Sequence, residues 1–173
     1  MSKIIAVFGG ARRNGNTGKL IDWISKTLGI DVIDLAEKEI SPFDYEHNNI
    51  NDDFIPVMDK VLEHENIIFV SPVYWYAMSA QMKIFIDRMS DFLSVSDLKD
   101  KGRKLRGKAG YVVCTSISPE ADQSFVNSFK DTFKYLGMNY AGHIHADCSD
   151  GYIADRYAAD VDHFVQSVKN SAS

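Results

Sequence analysis

Short β-branched and apolar runs alternate along this chain with stretches whose apolar residues recur at helical spacing. Lys3 to Phe8 is the first such run, ended by Gly9-Gly10, and it reads as a strand buried on both faces. Asp31 to Leu35, Asn66 to Ser71, Lys108 to Cys114 and Asn139 to Ala146 complete a set of five strands, with Pro72 removing the next backbone donor after the third. Between them Leu20, Ile21, Trp23, Ile24 and Leu28 fall on one helical stripe. Phe54, Ile55, Met58, Val61 and Leu62 form a second, where Pro56 is tolerated because it lies in the first turn. Ser79 is the expected N-cap of a helix burying Met82, Phe85, Ile86 and Met89. Ser118-Pro119 is expected to cap and start a helix through Phe125, Phe129, Phe133 and Leu136, stopped by Gly137. Tyr157, Val161, Phe164 and Val168 mark a last helix.

Strands and helices in alternation predict one doubly wound α/β domain over residues 1–173, with a five-stranded parallel sheet and helices on both faces. Ligands of such sheets bind at the carboxyl ends of the strands, where the strand order reverses. The loops after the first, third and fourth strands are therefore where chemistry is expected.

Composition narrows the function. With 45% hydrophobic and 25% charged residues the composition is that of one globular domain and excludes disorder. A net charge of −5 has the wrong sign for gripping nucleic acid or anionic lipid over the whole surface, so neither is an expected partner. Two cysteines, Cys114 and Cys148, are too few for a disulfide scaffold, a CxxC pair or a cysteine-ligated cluster. The opening MSKIIAVFGGARRNG lacks the apolar core of a signal peptide, and no stretch nears the roughly 20 apolar residues of a membrane span. A reducing, cytoplasmic setting is expected.

The first loop, Gly9-Gly-Ala-Arg-Arg-Asn-Gly-Asn-Thr17, joins a strand to a helix and is rich in groups that can hold a phosphate. Glycines allow close backbone approach, Asn14, Asn16 and Thr17 add donors, Arg12 supplies charge, and the helix N-terminus adds its dipole. A Walker A loop would need Gly and Ser or Thr where Arg13 and Leu20 stand, and no GxGxxG is present. The competing reading is a polar turn with an ordinary helix cap. The third loop, Ser71-Pro-Val-Tyr-Trp-Tyr-Ala-Met78, sets three aromatics in a row beside a proline. These either pack under neighbouring loops or at a subunit interface, or they cover a flat ligand. Taken together, a phosphate cradle and an aromatic wall describe one ligand with a phosphate tail and a planar ring, flavin mononucleotide (FMN).

GGARRNGNTGKL resembles the GSPRxxGNT phosphate loop of the flavodoxin-like NAD(P)H-dependent FMN reductases, and SPVYWYAMSAQMKIFIDR is similar to their SPxYxxxxxxxxKxFxDR segment. The resemblance covers nearly the whole chain and implies the flavodoxin-like strand order 2-1-3-4-5. It implies that Gly10, Arg12, Asn14, Asn16 and Thr17 surround the FMN phosphate, and that Pro72, Val73, Tyr74 and Trp75 line the isoalloxazine. Met78 and Tyr76 are expected at the rim of the open ring face, and Thr115 and Ser116 at the flavin from the fourth loop. Gly10 stands where the family usually has serine, so Arg12 or Thr17 must compensate for a missing donor. Ser41 to Asp53, where iron–sulfur relatives carry a cysteine cluster, contains none. The implied activity passes hydride from NADPH or NADH through FMN to a free flavin, a quinone, a nitro- or azo-aromatic compound or a metal complex, with no catalytic acid–base residue. The alternative is a flavodoxin-type electron carrier, whose phosphate loop usually reads TxTGNT without arginines. A homodimer or homotetramer is expected, with Phe85, Met89, Phe92 and Leu93 as the apolar surface that hints at it.

Three further features lie outside these two loops. His143 and His145 share one strand face near Asp147 and Cys148, at spacings that match no known metal site. Cys114 reads as a small buried apolar residue. Ser94 to Lys108 carries six basic residues against Asp97 and Asp100, a local charge of +4 that leaves −9 for the rest. This is either a solvated linker or, through Arg103, Lys104 and Arg106 with Arg12 or Arg13, an attractor for the phosphates of NADPH.

Overall fold

The computed structural model describes residues 3–172. Its strands are β1 (Ile4–Phe8), β2 (Val32–Asp34), β3 (Asn66–Tyr74), β4 (Ala77–Met78), β5 (Ala109–Ser116) and β6 (Asn139–Asp147). The helices are α1 (Asn16–Leu28), α2 (Phe54–Leu62), α3 (Ala80–Arg88), the short α4 (Asp91–Ser94) and α5 (Lys99–Arg103), α6 (Gln123–Leu136) and α7 (Ala158–Ser171). The parallel sheet runs β2-β1-β3-β5-β6, and β4 pairs antiparallel with the end of β3. With two-residue β4 set aside, this is the expected 2-1-3-4-5 order.

Residue alternation in the strands divides the core into two layers. Ile5, Val7, Ile67, Phe69, Val112 and Cys114 face α2, α3 and α6, where Phe54, Met58, Met82, Phe85, Phe129 and Phe133 pack on them. Ala6, Phe8, Ile68, Val70, Tyr111 and Val113 face α1 and α7, against Leu20, Ile21, Ile24, Val161, Phe164 and Val168. Each interior strand is thus apolar on both sides, the burial that its uninterrupted hydrophobic sequence demands.

Three boundaries differ from the sequence reading. β3 does not stop at Ser71 but continues through Pro72 to Tyr74, so the third loop is a hairpin rather than a free connection. α6 is capped by Asp122, whose carboxylate accepts from the N–H groups of Ser124 and Phe125; Ser118-Pro119 lies outside the helix. Asp caps as well as Ser does, and the one closer to the apolar stripe prevails. Leu35 belongs to a single turn of tight helix capped by Asp34, which shortens β2. Gly137 ends α6 as expected, in the left-handed conformation at φ 75°.

The helix surface taken as a hint of dimerisation is core. Phe85, Met89 and Phe92 are buried within the subunit, and of that set only Leu93 is exposed. Among the described residues no helix is long and apolar enough to cross a membrane.

Candidate functional site

The loops after β1, β3 and β5 meet at the carboxyl edge of the sheet, held by side-chain hydroxyls. Thr17 Oγ1, in the first turn of α1, lies 2.6 Å from Thr115 Oγ1 near the end of β5, both buried. Ser79, the N-cap of α3, accepts from Met82 N–H at 3.2 Å and donates to the carbonyl of Gly9. Its own N–H donates to Ser71 Oγ at 2.9 Å, and that hydroxyl in turn donates to the Pro72 carbonyl at 2.8 Å. Ser71 and Ser79 therefore lock the hairpin to the first loop. Ser79 was legible as a cap; nothing in the sequence marked Ser71 as a strut.

The first loop leaves an uncapped helix end. Gly15 is the N-cap of α1, with no side-chain bond and no acidic residue in the first turn. The first intrahelical donor is Lys19 N–H, to Gly15 O at 2.9 Å. The N–H groups of Asn16, Thr17 and Gly18 consequently point outward at the positive end of a 13-residue helix, a ready anion cradle.

The two adjacent arginines separate. Arg13 lies 5.0 Å over the Phe8 ring, bonds the Gly18 carbonyl at 3.1 Å and pairs with Asp22 at 2.5 Å. Arg12 is exposed, with no side-chain partner among the described residues. Arg12 is thus the loop's available cation and Arg13 its brace. Asn14 is exposed, whereas Asn16 accepts from the Tyr152 N–H at 3.3 Å, tying in the loop after β6. Tyr152 stacks on Tyr157 at 6.2 Å and holds a buried hydroxyl without a partner. No sequence signal pointed to this tyrosine.

Gly10 has a structural reason to lack a side chain. A Cβ built there would sit 2.4 Å from Cζ of the buried Phe8 ring. Phe8 occupies the space that a serine would need. At Gly18 a Cβ would lie 1.6 Å from the Arg13 carbonyl oxygen, so only glycine lets the loop fold onto the helix.

In the hairpin Val73 pairs with Met78 and Tyr74 with Ala77, leaving Trp75 and Tyr76 as a two-residue turn. Both take left-handed backbone, φ 49° and 66°, the signature of a type I′ turn that ordinarily selects Asn and Gly. Their side chains are 93% and 70% exposed, and Tyr74 is 48% exposed. Within the subunit the three aromatics do not tuck under neighbouring loops. Pro72 is buried, Val73 half-buried, and Met78 is packed into the α2/α3/α6 core. Met78 therefore supports the hairpin from below and does not form an open rim, because the β3–β4 pairing turns it inward.

At the end of β5, Ser116 Oγ lies 2.7 Å from His145 Nε2 on β6 and accepts from the Ser118 N–H at 3.0 Å. Burial favours neutral His145, with help from His143, against the opposing pull of Asp147, and its pKa falls below the usual 6.5. Among the described residues no group of three or more His, Cys, Asp or Glu is placed to hold a metal ion.

Residues 2–149 match the family described as NADPH-dependent FMN reductase. The chain belongs to this family. The match spans all three loops and stops just before Tyr152 and α7. Bacillus subtilis YwqN, which carries the name of an NAD(P)H-dependent FMN-containing oxidoreductase, is 27% identical over 150 residues, covering 82% of this chain and 83% of that protein. An iron-sulfur flavoprotein of Methanocaldococcus jannaschii is 32% identical over 133 residues, covering 70% of this chain and 65% of the other. Both cysteines of the present chain are free and buried, one on β5 and one just past β6. The solved FMN complex of an FMN-dependent NADH-azoreductase from Bacillus anthracis shares the fold, with a TM-score of 0.73 and complete coverage of both chains at 11% identity. The chain is accordingly a flavodoxin-like member of an oxidoreductase family.

A separate buried network is centred on the end of α3. Arg88, the last residue of the KxFxDR stretch, is wholly buried. It pairs with Asp91 at 2.8 Å and with Asp52, bonds the Ser41 carbonyl at 3.1 Å, and lies 4.8 Å over the Phe54 ring. His47 reaches the same Asp91 at 3.1 Å. The loop from Ser41 to Asp53 is thereby pinned at Ser41, Asn49 and Asp52 by a buried guanidinium.

The basic segment lies elsewhere. Lys108 Nζ bonds the His64 carbonyl at 2.7 Å, just before β3, and a Cβ on Gly137, just before β6, would meet Arg106 Cγ at 2.9 Å. Arg103, Lys104 and Arg106 lead into the amino-terminal end of β5, whose eight residues span about 25 Å. In this subunit they are at the wrong end of the sheet to meet a nucleotide stacked on the flavin loops.

Proposed function

We propose that this protein is an FMN-dependent NAD(P)H oxidoreductase that reduces a small acceptor such as a free flavin, a quinone or an azo- or nitro-aromatic compound. The observation that carries this reading is the convergence, on one sheet edge, of the unpaired α1 N-terminus with Arg12 and of the exposed Tyr74-Trp75-Tyr76 hairpin. The residues fit the cofactor. The Asn16, Thr17 and Gly18 N–H groups, with Arg12 and Asn14, would hold the phosphate; Pro72, Val73, Tyr74 and Trp75 would line the ring; and Thr115 and Ser116 would close the side of β5. Gly10 leaves the phosphate donors to backbone and Arg12, since Phe8 fills the place of a hydroxyl.

FMN, when bound, would supply the redox chemistry, a two-electron exchange between NAD(P)H and the acceptor. The chain's own part is orientation. The Ser71–Ser79–Gly9 and Thr17–Thr115 bonds fix the cradle relative to the hairpin, and the exposed aromatics leave an open face for alternating substrates. No acid or base is required from the protein. We infer a cytoplasmic setting in keeping with two buried free cysteines, and a homo-oligomer in which the exposed hairpin aromatics meet a second copy.

The test is spectroscopic. Purified protein is expected to be yellow or to turn yellow on adding FMN, and to bleach anaerobically with NADPH or NADH without any partner protein. Binding of FMN without bleaching would favour a flavodoxin-type carrier instead. A colourless protein that ignores added FMN would sink both. A steady-state comparison of the two nucleotides against flavins, quinones and azo dyes then names the acceptor.

A further inference from the structure

Eight large apolar side chains are exposed among the described residues. Tyr74 ends β3, and Tyr45, Trp75, Tyr76, Ile117 and Ile153 lie in the connections that follow β2, β3, β5 and β6, all at the carboxyl edge of the sheet. The other two, Leu93 on α4 and Tyr135 near the end of α6, lie away from those connections and line one cleft.

This cleft has a volume of about 200 Å3. Phe92 and Leu93 form one wall, and Tyr135 and Leu136 are also exposed to it. Lys99, Arg103 and Arg106 supply three cations, and none of the lining residues is acidic. Arg103 is engaged by the exposed Asp100, while Lys99 and Arg106 have no carboxylate partner among the described residues. The walls are set by two glycines. A Cβ on Gly102 would lie 2.5 Å from Phe92 Cβ, so α5 rides directly on α4. Gly137 lets the Arg106 stem lie across the end of α6, with its guanidinium unpaired.

An apolar, partly aromatic wall beside uncompensated cations recognises a molecule with the complementary halves, a flat ring and an anionic group. The volume is below the roughly 300–1,000 Å3 of pockets that take drug-sized ligands, which limits the occupant to a single ring. We propose that this cleft is a second ligand site, distinct from the flavin loops, for a single-ring aromatic carboxylate or sulfonate. The ring lies against Tyr135 and Leu93, and the anion lies between Lys99 and Arg106. It accounts for the local +4 of the Ser94 to Lys108 segment, which the strand ends do not use. It stands independently of the flavin reading.

The experiment is a titration of isotope-labelled full-length protein with benzoate and, separately, with its uncharged isostere benzamide, followed by amide NMR shifts. Benzoate is expected to shift the amides of Leu93, Gly102, Arg106 and Leu136 saturably, in the millimolar range, and benzamide to bind at least about ten-fold more weakly. The K99Q/R106Q variant should lose benzoate about ten-fold while keeping a folded spectrum, and Tyr135→Ala should weaken it with the charge unchanged. Lys104→Gln, an exposed cation outside the cleft, should change nothing. Equal binding of both ligands, shifts confined to the flavin loops, or indifference to K99Q/R106Q would each overturn the proposal.

Discussion

Thr17 Oγ1 and Thr115 Oγ1 share a hydrogen bond of 2.6 Å although 98 positions separate them. One hydroxyl belongs to the first turn of α1 and the other to the end of β5. Both are expected cofactor contacts, yet each has the other as its partner. A buried hydroxyl can donate once and accept twice, so each keeps capacity toward a ligand after this bond is made. The pair thus acts before any ligand arrives, setting the distance between the phosphate cradle and the β5 edge.

Removing either hydroxyl should cost more than removing both. Thr17→Val or Thr115→Val leaves a buried oxygen without its partner, a penalty of about 1–3 kcal/mol, whereas the double variant leaves none. Urea unfolding of the four proteins in a double-mutant cycle is expected to give a coupling of about 1 kcal/mol or more. Strict additivity would show that the bond carries no stability. FMN dissociation measured on the same four proteins separates the strut from direct ligand contact, since a strut weakens affinity in both single variants alike.

Gly10→Ser restores the residue that the resembling phosphate loops carry at that place. Here it should destabilise, because its Cβ would sit 2.4 Å from the Phe8 ring. Overpacking of this kind costs about 1–3 kcal/mol. In a Phe8→Leu background, which shortens the obstructing side chain, the penalty of Gly10→Ser should shrink by at least half. A thermal shift assay of the two single variants and the double variant decides it; an unchanged penalty would mean that the loop, and not Phe8, excludes serine.

How much of this was legible beforehand depends on the range of the interaction. The interior parallel strands follow from continuous apolar runs, because burial on both faces is written locally in each of them, whereas the order of the strands follows only from the family resemblance. Pro72 misled: a proline suggests a strand end, but β3 continues because a two-residue hairpin gives its last residues a partner in β4. That same pairing turns Met78 inward, which no local pattern announces. Among the candidate site residues, Arg12, Asn14 and the hairpin aromatics lie on the loops where topology puts them. The division of labour between Arg12 and Arg13 was invisible, since it depends on Phe8 and Asp22 lying next to Arg13. Of the two readings of the basic segment, the one that brings it to a nucleotide does not fit this subunit, because a stretch of sequence before a strand says nothing of the roughly 25 Å that the strand then covers.

Arg88 predicts an acid-sensitive segment. Partial burial disfavours ionised Asp52, but bonds from Arg88 and from the Phe54 and Ser41 N–H groups, with the Arg88 charge, outweigh it and hold the pKa below 3.8. Folded Asp52 therefore binds fewer protons than unfolded Asp52. Its stabilisation is complete above about pH 4 and is lost as pH falls through the lower folded value. Asp52→Asn should lower stability at neutral pH and flatten its decline in acid. Arg88→Met, which strands the wholly buried Asp91, should cost about 3–5 kcal/mol. Urea midpoints from pH 2.5 to 7, a range set around the ordinary carboxylate pKa of about 3.9, check both; parallel curves for wild type and Asp52→Asn would refute the linkage.

The hairpin tip predicts a conflict between stability and activity. Trp75 and Tyr76 hold φ of 49° and 66°, backbone that bulky side chains adopt at a cost of about 1–3 kcal/mol each. Nothing inside the subunit repays that strain, because Trp75 is 93% exposed and Tyr76 70% exposed. Asn and Gly suit the same turn without it, so W75N/Y76G should raise the unfolding free energy by about 1–2 kcal/mol. If the aromatics cover the flavin or meet a second copy there, the same variant must lose FMN affinity, turnover or oligomer size. Changes in these are read by fluorescence titration, steady-state rates and light scattering. A variant that gains stability and loses none of the three would leave the strained aromatics without a function. A variant that loses stability would show that the turn is held by contacts the open subunit lacks, and light scattering would then show the assembly dissociating with it.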